Sequence, residues 1–125
     1  MIVIDIDGKV SERNYNGSIQ ELYDAIGCRC FDVVRLCNGL VMFVDDEGML
    51  GKNPFNFINW KATYLRLNEW MSHAKDIGWE WARTVLPPVI VGNVCILAAH
   101  EDGSESDPDD SQRKFILGLL GEEVK

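Results

Sequence analysis

The sequence predicts an α+β fold: a small, mostly antiparallel sheet of hairpins with helices packed on one face, in a single domain. Three observations predict it. Two turn dipeptides, Asp7-Gly8 and Asn38-Gly39, each sit between strand-like runs. A segment with helix start and stop signals lies between these hairpins. A late apolar run, Val89 to Ala99, supplies a further strand.

The elements follow in chain order. Ile2, Ile4 and Ile6 alternate with Val3 and Asp5, the period of a short strand. Asp7-Gly8 reads as a two-residue hairpin turn, and Val10 to Tyr15, rather polar, as the returning edge strand. Asn16-Gly17 ends it. Ser18 and Glu21 form a capping-box pattern, with the Ser18 hydroxyl aimed at the Glu21 amide and the Glu21 carboxylate aimed back. Ile19, Leu22, Ala25 and Ile26 share one helical face, and Gly27 is the stop. Cys30 to Cys37 and Leu40 to Val44 read as strands joined through Asn38-Gly39. The second of these is apolar throughout, so it is expected in the centre of the sheet with both faces covered.

Gly51 to Asn59 reads as loop, with a turn at Asn53-Pro54 and Asn59 as a helix cap. Trp60, Thr63, Leu67, Trp70, Met71, Ala74 and Ile77 then form a helical stripe, which is expected to face the core. Gly78 would end that helix. Trp79 to Leu86 suits a further short helix, stopped by Pro87-Pro88. In the run from Val89 to Ala99, Gly92-Asn93 marks a bulge or bend. His100 to Asp110 is acidic and turn-rich. Ser111 is the expected cap of a C-terminal helix carrying Phe115, Ile116, Leu119 and Leu120.

A chain of 125 residues can bury a core without metal or disulfide staples. Its net charge of −8 repels polyanions, so direct nucleic-acid binding through a basic patch is not expected, and neither is adhesion to an anionic membrane. No apolar run approaches the roughly 18 residues that span a bilayer. The opening Met-Ile-Val-Ile-Asp lacks the basic start of a signal peptide, so a cytoplasmic location is expected. There Cys28, Cys30, Cys37 and Cys95 should be thiols. Cys28-x-Cys30 has the spacing of neither a zinc knuckle nor a redox pair, and Cys37 and Cys95 read as buried apolar residues.

Catalytic and cofactor signatures do not assemble. His73 and His100 are the only histidines and neither accompanies a nucleophile motif. No phosphate-cradling glycine loop is present. Asp45-Asp46-Glu47-Gly48 clusters carboxylates without the alternation of a calcium loop and reads as a solvated turn. No metal, no cofactor and no enzymatic activity are therefore expected. Two features point toward protein contact. Trp79 and Trp81 flank Glu80 near Arg83 and cannot both face inward on one helix, and exposed aromatics beside arginine are hot-spot chemistry. Glu101, Asp102, Glu105 and Asp107 lie in a run of acids with no base among them, a surface suited to a basic partner.

In order and spacing the segments resemble a family, domain of unknown function family 3846, small proteins common in phages, prophages and mobile elements. The resemblance rests on the Asp7-Gly8 hairpin, Gln20-Glu21-Leu22 with Ala25 to Gly27, and Asp32-Val33-Val34-Arg35-Leu36 before the strand from Leu40. It continues through Asp46-Glu47-Gly48 with Leu50, Asn56, Ala62-Thr63, and Val91-Gly92-Asn93-Val94. Two departures stand out: Cys28 after Gly27 in place of a second glycine, and a helical insertion at 65–88 that holds three of the four tryptophans. The resemblance implies an architecture over residues 1–103, followed by an acidic loop and short helix at 104–125, and it implies a genomic setting. It implies no activity.

The sequence thus points to a non-enzymatic interaction module, monomer or homodimer, that binds or inhibits a host or viral protein. Its candidate contacts are Trp79, Trp81, Arg83, Glu101, Asp102, Glu105 and Asp107. The alternative is a binder of a small ligand such as a nucleotide signal, drawing on Arg29, Arg35, Lys52, Lys61, Arg66 and Arg83.

Overall fold

The computed structural model describes residues 1–28, 30–46, 57–78 and 89–123, with 73, 74, 76 and 77 described by backbone alone. Trp79, Trp81, Arg83, the segment 79–88, Arg29, Lys52 and the turn from Glu47 lie outside the described residues. Six strands are described: β1 (Ile2–Ile4), β2 (Val10–Glu12), β3 (Phe31–Arg35), β4 (Leu40–Asp45), β5 (Val94–Ala99) and β6 (Glu105–Ser106). They form one sheet in the order β2-β1-β5-β4-β3, with β6 pairing the end of β5, and every pairing is antiparallel. Among the described residues three helices accompany it: α1 (Ile19–Ile26), α2 (Trp60–Ile77) and α3 (Asp110–Leu119). The fold is α+β, and none of these helices is long and apolar enough to cross a membrane.

Two of the three inner strands, β4 and β5, explain the layering. All but the last residue of β4 and of β5 are buried. Side chains alternate across a strand, so an unbroken apolar run needs cover on both faces. Ile2, Ile4, Leu40, Met42, Val94 and Ile96 point to one face, where Ala62 and Leu65 of α2 and Ile116 of α3 join them. Val3, Val41, Phe43, Cys95 and Leu97 point to the other, under Leu22, Ala25 and Ile26 of α1. The expectation of helices on one face is therefore corrected: α1 covers the face opposite α2 and α3.

Local signals account for most of the turns. The first hairpin closes through three residues, not two, with Gly8 at φ 87° and its amide donating to the Asp5 carbonyl at 3.0 Å. Asn38 and Gly39 both take positive φ between β3 and β4. Gly27 ends α1 in the left-handed conformation with its amide donating to the Tyr23 carbonyl. The start of α1 differs from expectation. Ser18 makes no side-chain cap; the Glu21 carboxylate instead accepts from the Asn16 amide at 3.1 Å, and the Asn16 side chain accepts from the Ser18 amide. Asp109, not Ser111, caps α3, in a reciprocal capping box with Gln112. The last long strand begins only at Val94, because Gly92 at φ 90° breaks the run and Val91 bridges Ile58 instead.

Asn59 is 1% exposed and joins three elements. Its Oδ1 accepts from the Ala62 amide, capping α2 as the sequence suggests, while its Nδ2 donates to the carbonyls of Ile4 and Gly92. This clamp, with the Ile90 amide donating to Thr63 Oγ1, holds α2 close to the sheet. Close approach needs a small inward residue, and Ala62 supplies it. The expected core stripe of α2 is corrected accordingly. Ala62 and Leu65 face inward, while Trp60 is 69% exposed and Leu67 and Met71 are also exposed. Trp70 is half-buried.

Candidate interaction surface

α1 is an eight-residue helix, about 12 Å long, and it covers only part of its sheet face. Beyond it the strands remain open. Val33 pairs Phe43 and Arg35 pairs Val41 across β3 and β4, while Ala99 pairs Glu105 across β5 and β6. Of these, Val33, Arg35, Val41, Ala99 and Glu105 share the α1 face and line a groove of about 660 Å³, which His100, Glu101 and Gly103 of the β5–β6 turn close at one end. Val33 is 44% exposed, and Arg35, Ala99, His100, Glu101 and Glu105 are exposed as well. A short apolar floor is thus flanked by two glutamates, one arginine and one histidine.

The rim is held in place by the hairpin. The Asp102 carboxylate accepts from the Ser104 amide and hydroxyl, at 2.9 and 2.6 Å, which holds its carboxyl below the usual range, with the nearby His100 adding to the effect. His100 Nε2 lies 2.7 Å from Ser106 Oγ. The Ala99 amide donates to the Gly39 carbonyl, tying this hairpin to the β3–β4 turn.

The acids of the sequence divide into two groups. Asp107 turns its carboxylate inward, accepting from the Tyr15 amide at 3.0 and 3.1 Å and from the Met1 amino group. Asp109 is consumed by the α3 cap, and Asp110 pairs Lys114 at 3.0 Å. Glu101 and Glu105 are the two that line the groove. The sequence reading missed Val33, Arg35 and Ala99 as groove residues. They meet only through strand pairing, although an arginine in a strand beside apolar neighbours was a visible signal.

Of the basic residues invoked for a phosphate ligand, the three that are described, Arg35, Lys61 and Arg66, do not converge. Arg35 lies on the α1 face. Lys61 and Arg66 belong to α2 on the opposite face, where Lys61 Nζ donates to the Gly8 carbonyl and to Glu122, both at 2.6 Å. A second cleft, of about 390 Å³ beside Met1 and Arg13, has Glu12 and Arg113 in its wall, paired with one another. None of the four cysteines is in a disulfide; Cys95 is buried, Cys30 exposed, and Cys37 half-buried rather than fully enclosed. Among the described residues no three His, Cys, Asp or Glu side chains gather as a metal site.

On the other side of the molecule, α2 exposes Trp60, Tyr64, Leu67 and Met71 in a single stripe. Neither the curated proteins nor the solved structures include a significant match to this chain. A family profile does match, over residues 1–119 of 125. The chain belongs to the family described as Domain of unknown function (DUF3846).

Proposed function

We propose that this chain is a non-enzymatic protein-interaction module that takes a basic segment of a partner protein into the groove between β3 and the β5–β6 hairpin. The single observation that carries this reading is the lining: exposed Val33 and Ala99 beside Glu101 and Glu105 on one open surface. An extended or helical segment with one apolar side chain flanked by lysine or arginine complements it in shape and sign. Opposed potentials speed encounter and fix orientation, and the net charge of −8 extends the attraction beyond the groove.

The setting we propose is a phage or mobile element, with the partner a host or viral protein that this chain binds or inhibits in the cytoplasm. The groove also contains Arg35 and His100, but two glutamates share it. That arrangement disfavours a phosphate ligand and is compatible with a basic peptide segment seated on the glutamate side.

The test is capture by the full chain, tagged at its C-terminus, from host lysate, followed by native mass spectrometry. The reading predicts a stoichiometric protein partner that is lost from a Glu101→Lys/Glu105→Lys variant. A bound small molecule in place of a protein would overturn it.

A further inference from the structure

We propose that the exposed stripe of α2 pairs two copies of this chain about a two-fold axis, helix against antiparallel helix. This inference is independent of the groove, which lies on the opposite sheet face.

The stripe consists of Trp60, Tyr64, Leu67 and Met71, between 38% and 69% exposed. Their spacing of four, three and four is that of a helix seam that packs against another helix. It is also palindromic. An antiparallel two-fold with its axis midway between Tyr64 and Leu67 sets Trp60 opposite Met71 of the partner subunit. The same axis sets Tyr64 opposite Leu67 of the partner subunit. Each contact then joins an aromatic ring to an aliphatic or thioether side chain, and the latter is a favoured sulfur–aromatic pairing. A stripe read in one direction only would not match itself under that rotation.

Charge and area agree. Each copy carries −8, so self-association needs a face that is not acidic. The α2 sequence has Lys61, Arg66 and Lys75 against Glu69 and Asp76. In the proposed register Lys61 falls near Asn68 of the partner subunit, and Thr63 near Trp70 of the partner subunit, so no like charges oppose between 60 and 71. Phe57 and Val89 are exposed at the same end of α2 as Trp60, where Ile90 bonds Thr63. The apolar area on offer is roughly 500 Å² per copy, or about 1,000 Å² in a pair, the lower edge of specific interfaces. A reversible dimer follows, not an obligate one.

Sedimentation velocity of the full chain between about 5 and 300 µM tests this. The expected result is a monomer–dimer equilibrium in that range, strengthened as salt screens the repulsion between two acidic copies. Tyr64→Glu/Leu67→Glu should sediment as a monomer throughout, and Trp60→Ala should weaken the dimer by at least tenfold. Both exchange exposed side chains, and circular dichroism with an unchanged melting midpoint confirms that they fold. A wild-type chain that stays monomeric at the highest concentration would overturn the proposal. A dimer of undiminished affinity in the folded double variant would overturn it equally.

Discussion

Asn59 Nδ2 donates to the carbonyl of Ile4 at 3.0 Å, across 55 residues of sequence. That bond places the start of α2 over the end of β1. The same side chain satisfies the Gly92 carbonyl and the Ala62 amide, so one buried amide group answers three backbone groups. Asn59→Ala leaves all three without that partner in a site closed to water. The expected loss is about 3 kcal/mol, a fall of roughly 10 °C in Tm, checked by urea and thermal unfolding. Asn59→Asp keeps the cap acceptor but aims a second oxygen at two carbonyls. It should destabilise comparably, although aspartate is an equally good cap on an exposed helix.

The cap of α3 separates two residues two positions apart. The Asp109 side chain accepts from the Gln112 amide at 2.8 Å, and Gln112 Nε2 also reaches the Asn38 carbonyl at 2.7 Å. Asp109→Ala should cost about 1 kcal/mol. Ser111→Ala should stay within about 0.5 kcal/mol of wild type. Equal losses in denaturant melts would place the cap elsewhere.

Thiol chemistry reports the burial of β5. Cys95 is fully buried, and burial pushes its thiol up to about 12. A maleimide at neutral pH should label exposed Cys30 rapidly, and Cys95 only when the protein unfolds, read by peptide mass spectrometry. Burial also pushes the Cys37 thiol up, with Glu69 adding to the shift, so Cys37 should react more slowly than Cys30.

The same thiol predicts a loss of stability in alkali. Below about pH 9 Cys95 is protonated in both folded and unfolded chains, and its contribution is fully present. Between about pH 9 and 12 the unfolded thiol ionises while the folded one keeps its proton, so stability falls as pH rises. The slope approaches 1.4 kcal/mol per pH unit, about the effect of one proton. Cys95→Ala removes this slope, and comparing the two proteins by denaturant unfolding across that range isolates it.

How far the sequence carried can be judged from particular elements. α1, the Asp7-Gly8 and Asn38-Gly39 turns, the edge position of β2 and the Asn59 cap were legible, because each depends on neighbours within a few positions. The covering of both sheet faces was also legible in principle. The apolar run from Leu40 to Val44 demanded two layers, and helices on one face could not meet that demand. The phase of α2 was not legible. Its large apolar residues at 60, 67 and 71 outweigh Ala62 in any periodicity, yet the Asn59 clamp to β1 and the Gly92 carbonyl brings the small residue inward. The groove was the least legible. The acidic hairpin announced Glu101 and Glu105, but their meeting with Val33 and Arg35 depends on β3 pairing β4 and β4 pairing β5. Asn38-Gly39 signals the first pairing, but no local signal encodes the second, between strands some fifty residues apart.

The most direct test of the groove as a protein-binding surface is site-specific photo-crosslinking in cell lysate. A benzophenone amino acid at position 33 is compared with the same probe at Asp24 on exposed α1. Val33 is partly exposed, so the substitution should leave the fold within about 0.5 kcal/mol of wild type. The account predicts one discrete protein adduct from position 33, competed away by excess unlabelled wild-type chain and absent from position 24. No competable adduct at position 33, or the same adducts from both positions, would contradict it.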